Sequence, residues 1–303
     1  MLLVKGTLLR SIERATDHAL GTGALRPVPT DYTFIEDGGI RFFVRVLASL
    51  RLKDEARKAQ EAATVSGKNA NVFLPPEDDL VVASITDTHQ AILNKFNVME
   101  RHLLIITRHF EDQDTLLNLK DLEALWLCMA EYDGLGFYNG GREAGASQQH
   151  KHLQMVPLPM APVGPSVPIE PLLAEAGDPG LVPGFPFLHA FVRLDRDLVS
   201  NPGRAAQETF KLYSAMLKRV GMTAPAETGL IRQSMPYCLL VTREWMMLVP
   251  RSREHFEDIS FNSLAFAGSL YVRDGRQLAR LKAFGPMNAL RSVAIPKEQT
   301  ASS

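Results

Sequence analysis

Residues 145–159, GASQQHKHLQMVPLP, constrain this chain more than any other stretch. His150, His152 and Gln154 stand at every second position, and a strand is predicted over 150–158. Successive side chains on a strand point to opposite faces. His150, His152 and Gln154 therefore share one face, and Lys151, Leu153 and Met155 the other. The polar face is a ladder of two imidazoles and a carboxamide about 13 Å long at ~3.3 Å per residue. Burying such a ladder without partners costs several kcal/mol, so it is expected to border a cleft or a bound polar ligand.

Just upstream, Asn139 to Gln148 read NGGREAGASQ, with Gly140, Gly141 and Gly145 for backbone freedom and Ser147 and Gln148 as donors. Glycines let neighbouring backbone N–H groups converge on an anion, as phosphate-cradling loops do. A glycine-rich loop alone describes many turns, and a His-x-His strand alone also suits a metal. Loop and strand in tandem are the sharper signal.

Regular structure is expected on both sides. A helix is predicted over 2–20, stopped by Gly21, Gly23, Pro27 and Pro29. Strands are predicted over 32–36 and 40–46, joined by the Asp37-Gly38-Gly39 turn. Residues 48–71 are polar and read as a short helix running into a loop. Apolar runs at 80–85, 91–96 and 103–107 predict strands. A helix follows over 118–133, ended by Gly134 and Gly136, then a short strand at 137–139. The second half predicts strands at 190–194, 238–242 and 246–249, and helices at 205–220, 275–284 and 287–293. Residues 93–110 and 239–256 share a strand–turn–strand–exit pattern, suggesting two copies of one α+β unit. Nine of the 19 prolines fall between Pro157 and Pro186, which suits a stiff excursion acting as a lid, a crossover or a dimer contact.

The formal net charge is −1, with 33 basic against 34 acidic residues, which argues against a nucleic-acid binder. No apolar run reaches the ~18–20 residues of a membrane helix, and charges interrupt the N-terminal segment where a secretory signal would be apolar. Two cysteines, Cys128 and Cys238, cannot build a disulfide framework or a four-Cys zinc site. A cytoplasmic, thiol-reduced protein is the simplest expectation.

His150-Lys151-His152-Leu153-Gln154 resembles the His-x-His-x-Gln motif of the histidine-triad superfamily in its nucleotidyltransferase branch. Further segments resemble the diadenosine tetraphosphate phosphorylase, or ATP adenylyltransferase, family: TGALRPVPT, DGGIRFFVRVLASL, AILNKF, HLLIITR, PFLHAFVRLD, TREWMMLVPRSRE and FNSLAFAGSLYVRD. The resemblance spans most of the chain. It implies an α+β histidine-triad-like fold over 1–303, with two related halves (about 1–160 and 187–303) on one mostly antiparallel sheet. It also implies that His152 is the nucleophile, forming an adenylyl-histidine that phosphate resolves to ADP after ATP has left. Imidazole suits this because it is both a good nucleophile and a good leaving group.

By the same resemblance, His150 orients the ring or meets phosphate, and Gln154 hydrogen-bonds phosphoryl oxygens. Lys53, Asn94, Lys95, Asn139, Gly145, Ala146, Ser147 and Gln148 are implied contacts to nucleotide or polyphosphate. Asn262, Ser263, Leu264, Ser269 and Arg273 match a segment that meets the second nucleotide, with Arg273 where the family usually has Lys. Cys238 stands where Asn is expected. Implied partners are diadenosine tetraphosphate, ATP, ADP and phosphate; no resident cofactor is expected, though Mg²⁺ could accompany the nucleotide. Lys151 replaces the Pro of galactose-1-phosphate uridylyltransferases, whose zinc-binding cysteines also have no counterpart.

Two other readings stay open: an ADP-sulfurylase or other adenylyltransferase with a different acceptor, and a metal-binding protein using His150 and His152. Outside the motif, His89, His102 and His109 read as solvated or capping residues at strand ends, and His189 as structural. Arg251 and Arg253 suit either polyphosphate or a strand exit.

Overall fold

Strands buried at nearly every position organise the molecule into a sheet with two different apolar faces. The computed structural model describes residues 2–47, 71–177, 179–225 and 229–297. Eight strands form the main sheet: β3 (Val81–Ser84), β4 (His89–Leu93), β5 (Leu103–Thr107), β6 (Gly134–Gly140), β7 (His152–Pro157), β8 (Ala190–Arg193), β9 (Tyr237–Val241) and β10 (Trp245–Pro250). Their spatial order is β3-β4-β5-β7-β6-β9-β10-β8, and the neighbours are antiparallel.

Ile105, Leu153, Met155, Tyr138, Leu239, Val241, Met246 and Leu248 point to one side. There they meet α1 (Leu8–Thr22), α2 (Leu119–Glu131) and α4 (Pro202–Arg219). Leu135, Phe137, Cys238, Leu240, Trp245, Met247 and Val249 point to the other side. That side is covered by the hairpin β1 (Thr30–Asp37)–β2 (Ile40–Leu47), the proline-rich segment, and the C-terminal elements. Gly38 and Gly39, at φ 57° and 78°, supply the two positive-φ residues that a right-twisted two-residue hairpin turn demands.

The C-terminal elements begin with the short β11 (His255–Phe256) and β12 (Ile259–Ser260), then α5 (Ser263–Phe266) and β13 (Ser269–Val272). β13 joins β2 in parallel. Two helices, α6 (Gly275–Phe284) and α7 (Pro286–Val293), follow.

The sheet contains the same unit twice. β5–α2–β6–β7 and β8–α4–β9–β10 have the same order of elements and the same spatial order, 5-7-6 and 8-10-9, and meet antiparallel at β6 and β9. The registers correspond across the repeat: Phe137↔Gln154 to Leu240↔Met247, and Gly134↔Pro157 to Tyr237↔Pro250. Leu104↔Gln154 likewise corresponds to Phe191↔Met247. His152 and Gln154 thus match Trp245 and Met247, and His102 matches His189. This corrects the repeat expected from the sequence: 93–110 and 239–256 pair β5 with β10, whereas topology pairs β5 with β8. Loops of different length separate the corresponding strands, and a constant sequence offset cannot follow them.

Other boundaries shift for identifiable reasons. Helix α1 starts at Leu8, because Leu2 bridges to Ser84 and Leu3 N–H binds the Ser84 carbonyl. Gly134 and Gly136 lie inside β6, not at a helix stop. A Cβ at Gly136 would sit 2.7 Å from Leu125 Cδ1, so bare backbone lets α2 lie directly on the strand. The proline-rich excursion carries only the short α3 (Glu170–Leu173), and Val167, Ile169, Leu173, Val182 and Phe185 pin it to the second face. Lys53 and the helix expected near it lie outside the described residues.

Candidate active site

Strand β7 starts at His152, two residues later than the spacing predicts, because a side chain replaces its partner backbone there. Asn139 would lie opposite His152 if the β6–β7 register continued. Instead the strands part and Gln113 fills the gap. Its Oε1 accepts from His152 N–H at 2.8 Å, while its Nε2 donates to the carbonyls of Asn139 (2.8 Å) and His152 (3.3 Å). His150 continues outward as a single bridge to Asp112.

The ladder is not open to a wide cleft: His150 and His152 are 2 % and 3 % exposed, and Gln154 9 %. Most of its polar atoms find protein partners. His150 Nε2 donates to the Thr107 carbonyl at 2.8 Å, so its Nδ1 is left to accept from Asn71 Nδ2, also at 2.8 Å. Asn71 cannot reverse freely, since its Oδ1 accepts from Phe73 N–H. His152 Nδ1 donates to the His150 carbonyl at 2.8 Å. This fixes the tautomer with a bare lone pair on Nε2, which has no hydrogen bond among the described residues. Phe73 packs edge-on against both rings. Burial pushes His152 down to about 4, so the ring is neutral near pH 7. The arrangement is an oriented, uncharged nitrogen nucleophile.

Lys151 faces the opposite side and is fully buried, with its Nζ 2.6 Å from Asp121 Oδ2 and 3.1 Å from the Leu116 carbonyl. Glu111 lies at 3.2 Å. Burial by itself would raise the Asp121 carboxyl, but Lys151 and His89 outweigh it and hold it below the usual carboxylate range. Asp121 also closes the capping box of α2 with Asn118. Helix α2 and the strand that carries His152 are therefore tied at one point. His89 is buried in this cluster, 3.0 Å from Asp121, which corrects its reading as a solvated strand-end residue. His102 is corrected in the same way, being buried against Gln154; His109 is exposed as expected.

The glycine-rich loop lies against α5. Gly145 has φ 92°, and a Cβ there would sit 2.7 Å from Asn262 Cβ and 3.0 Å from the Phe261 carbonyl oxygen. Asn139 Oδ1 accepts from both N–H and Oγ of Ser263, at 2.9 and 2.6 Å, and Asn262 caps α5 through Leu264 N–H. Asn139, Gly145, Asn262 and Ser263, distant in sequence, thus converge. Ala146 N–H binds the Gly141 carbonyl, Ser147 is exposed, and Gln148 and Leu264 are partly exposed.

Beneath this contact, the buried Arg251 donates to the carbonyls of Ala144, Phe261, Arg253, Glu254 and Val293. It is a clamp between loop and helix, and its donors are taken up by backbone. Cys238 lies beside it at 3.2 Å.

Other expected contacts are engaged elsewhere. Lys95 pairs with Glu77 at 2.6 Å, and the Asn94 amide faces His102 at 3.2 Å. Ser269 starts β13 in the smaller sheet, and Arg273 donates to the Asp258 carbonyl at 2.8 Å. Asn71, Thr107, Gln113 and His102 were missed by sequence reasoning; only His102 carried a signal, as a lone His directly before an apolar strand. Among the described residues no grouping of three or more His, Cys, Asp or Glu could hold a metal ion. No described helix is long and apolar enough to cross a membrane.

Two family models define the class, a nucleotidyltransferase of the ATP adenylyltransferase type. The family model described as Ap4A phosphorylase N-terminal domain matches residues 1–175, and that described as ATP adenylyltransferase C-terminal domain matches 183–296. The chain belongs to the Ap4A phosphorylase family of ATP adenylyltransferase-type enzymes. Diadenosine 5',5'''-P1,P4-tetraphosphate phosphorylase 2 of Saccharomyces cerevisiae is 27 % identical over 268 residues, covering 80 % of this chain and 79 % of that protein. Protein APA1 of the same yeast is 25 % identical over 291 residues, covering 87 % and 86 %. The crystal structure of yeast Ap4A phosphorylase Apa2 in complex with AMP has the same fold, with a TM-score of 0.75 at 20 % identity over 99 % of this chain and 100 % of that one.

Proposed function

We propose that this chain phosphorolyses diadenosine tetraphosphate (Ap4A) to ADP and ATP, reversibly, through an adenylyl group carried on His152. The observation that carries the reading is the free Nε2 of His152, fixed by the Nδ1–H bond to the His150 carbonyl. Nε2 attacks the α-phosphorus, the bond from that phosphorus to the bridging oxygen breaks, and ATP departs with the electron pair. The imidazolium so formed keeps its Nδ1–H on the carbonyl. A phosphate oxygen then attacks the same phosphorus, the P–N bond breaks, and ADP leaves with His152 neutral again.

Both steps place negative charge on phosphoryl oxygens, which N–H donors from Gln154 and the loop around Gly145 to Gln148 would meet. Asn139, Asn262, Ser263 and Leu264 frame the same region, while Lys53, Asn94, Lys95, Ser269 and Arg273 carry weaker support as substrate contacts. A divalent ion such as Mg²⁺ would arrive on the polyphosphate as part of the substrate. The 303 residues would work as one unit, since the central β6–β9 ladder joins the two halves.

Product analysis tests the reading. Ap4A with phosphate is expected to give ADP plus ATP and no turnover without phosphate; release of AMP plus ATP by water overturns it. Adenylyl sulfate with phosphate separates the ADP-sulfurylase reading. The loop is tested by Gly145→Ala: with a positive φ and a Cβ pressed on Asn262, AMP affinity measured by calorimetry is expected to fall about tenfold or more. Unchanged affinity would detach this loop from the nucleotide.

A further inference from the structure

The side of Gln154 that faces away from the substrate is already occupied. His102 Nε2 lies 2.9 Å from Gln154 Oε1, both groups buried, and His102 Nδ1 lies 3.2 Å from Asn94 Nδ2. Asn94 Oδ1 in turn accepts from Phe96 N–H at 3.3 Å, so the Asn94 amide nitrogen is the end facing His102. That nitrogen only donates, so His102 Nδ1 accepts and its Nε2 carries the proton. Gln154 Oε1 must then be the acceptor, and its Nε2 is the end left without a partner among the described residues. Every group in the row has one allowed direction.

We infer that Asn94 and His102 are positioning residues: they hold the Gln154 carboxamide so that its N–H, not its C=O, is presented on the face carrying His152. The inference rests on the proposed function and deepens it, reassigning Asn94 from substrate contact to support. The repeated unit supplies an internal control. His189 stands at the place of His102, but the partner position is Met247. There the ring has turned to the backbone, donating from Nδ1 to the Phe187 carbonyl and accepting from Val182 N–H. The same histidine, lacking a carboxamide opposite, serves the fold alone. Burial holds His102 down to about 4, which keeps it in the neutral form this row of bonds needs.

The test is a double-mutant cycle on single-turnover adenylylation by Ap4A, with AMP affinity measured alongside. His102→Leu is expected to slow adenylylation about 10- to 100-fold while AMP affinity changes less than about threefold. His102→Gln, whose amide nitrogen can reach the Nε2 position, is expected to recover most of the rate. In a Gln154→Ala background, His102→Leu is expected to add no further loss.

The inference is overturned if His102→Leu costs the same factor in that background as alone, or if His102→Gln falls as far as the Leu variant. Should the Leu variant not fold, Asn94→Ala enters the same cycle, with a smaller loss expected and again none on top of Gln154→Ala. Absence of adenylylation in the unmodified chain would instead overturn the functional reading, and this inference with it.

Discussion

Replacing His152 by alanine is expected to abolish turnover, with a rate loss on the order of 10⁴-fold or more, because neither neighbouring imidazole is free to carry the adenylyl transfer. His150 cannot substitute: its Nε2 donates to the Thr107 carbonyl and its Nδ1 accepts from Asn71. His102 is committed to Gln154 and Asn94. Intact-mass measurement after mixing with Ap4A without phosphate is expected to show the unmodified chain gaining one adenylyl group and the variant none. Full turnover by the variant would remove the covalent step from the account. Burial keeps His152 at about 4, so its nucleophilic form persists across neutral pH. The adenylylation rate is therefore expected to stay level from about pH 8 down to about pH 5, falling only as the ring protonates.

A large acid instability is expected from the same burial. His102, His152 and His189 are each pushed down to about 4, whereas an unfolded histidine titrates near ~6.5. Between those values the unfolded chain binds more protons than the folded one, so stability rises with pH across this window and is lost as pH falls from ~6.5 to ~4. At ~1.4 kcal/mol per pKa unit, three such groups place the loss on the order of 5–10 kcal/mol as an upper bound. Asp121, held below its usual range, begins to add to the loss only at still lower pH. Urea unfolding at pH 7 and pH 4.5 measures the difference. A change under ~1 kcal/mol would contradict the buried neutral state of these rings. His189→Gln, remote from the proposed chemistry, should flatten the pH dependence by about a third of the total.

Local features were legible and long-range ones were not. The Gly38-Gly39 turn is written in two residues whose positive φ few others tolerate, and the strands beside it follow by alternation. Helices α6 and α7 were likewise readable, since Asp274 caps one and Pro286 starts the other. Gly134 and Gly136 misled, because a glycine that ends a helix looks the same in sequence as one that admits a neighbouring helix. The ladder of His150, His152 and Gln154 announced polar chemistry, but nothing in it announced that Asn71, Thr107 and Gln113 would supply its partners from separate segments. Nothing local marks Gln113 as a stand-in for a strand. Arg251 could be read either way, and only the five carbonyls around it show that it braces the loop.

The duplication within the sheet fixes a stoichiometry. Where the first repeat carries His152 and Gln154, the second carries Trp245 and Met247, sealed beneath the proline-rich segment and the C-terminal helices. A symmetric ancestor of such a sheet would offer two equivalent reaction centres. On the proposed function this polypeptide retains the geometry of both and the chemistry of one, and would load one equivalent of adenylate per chain.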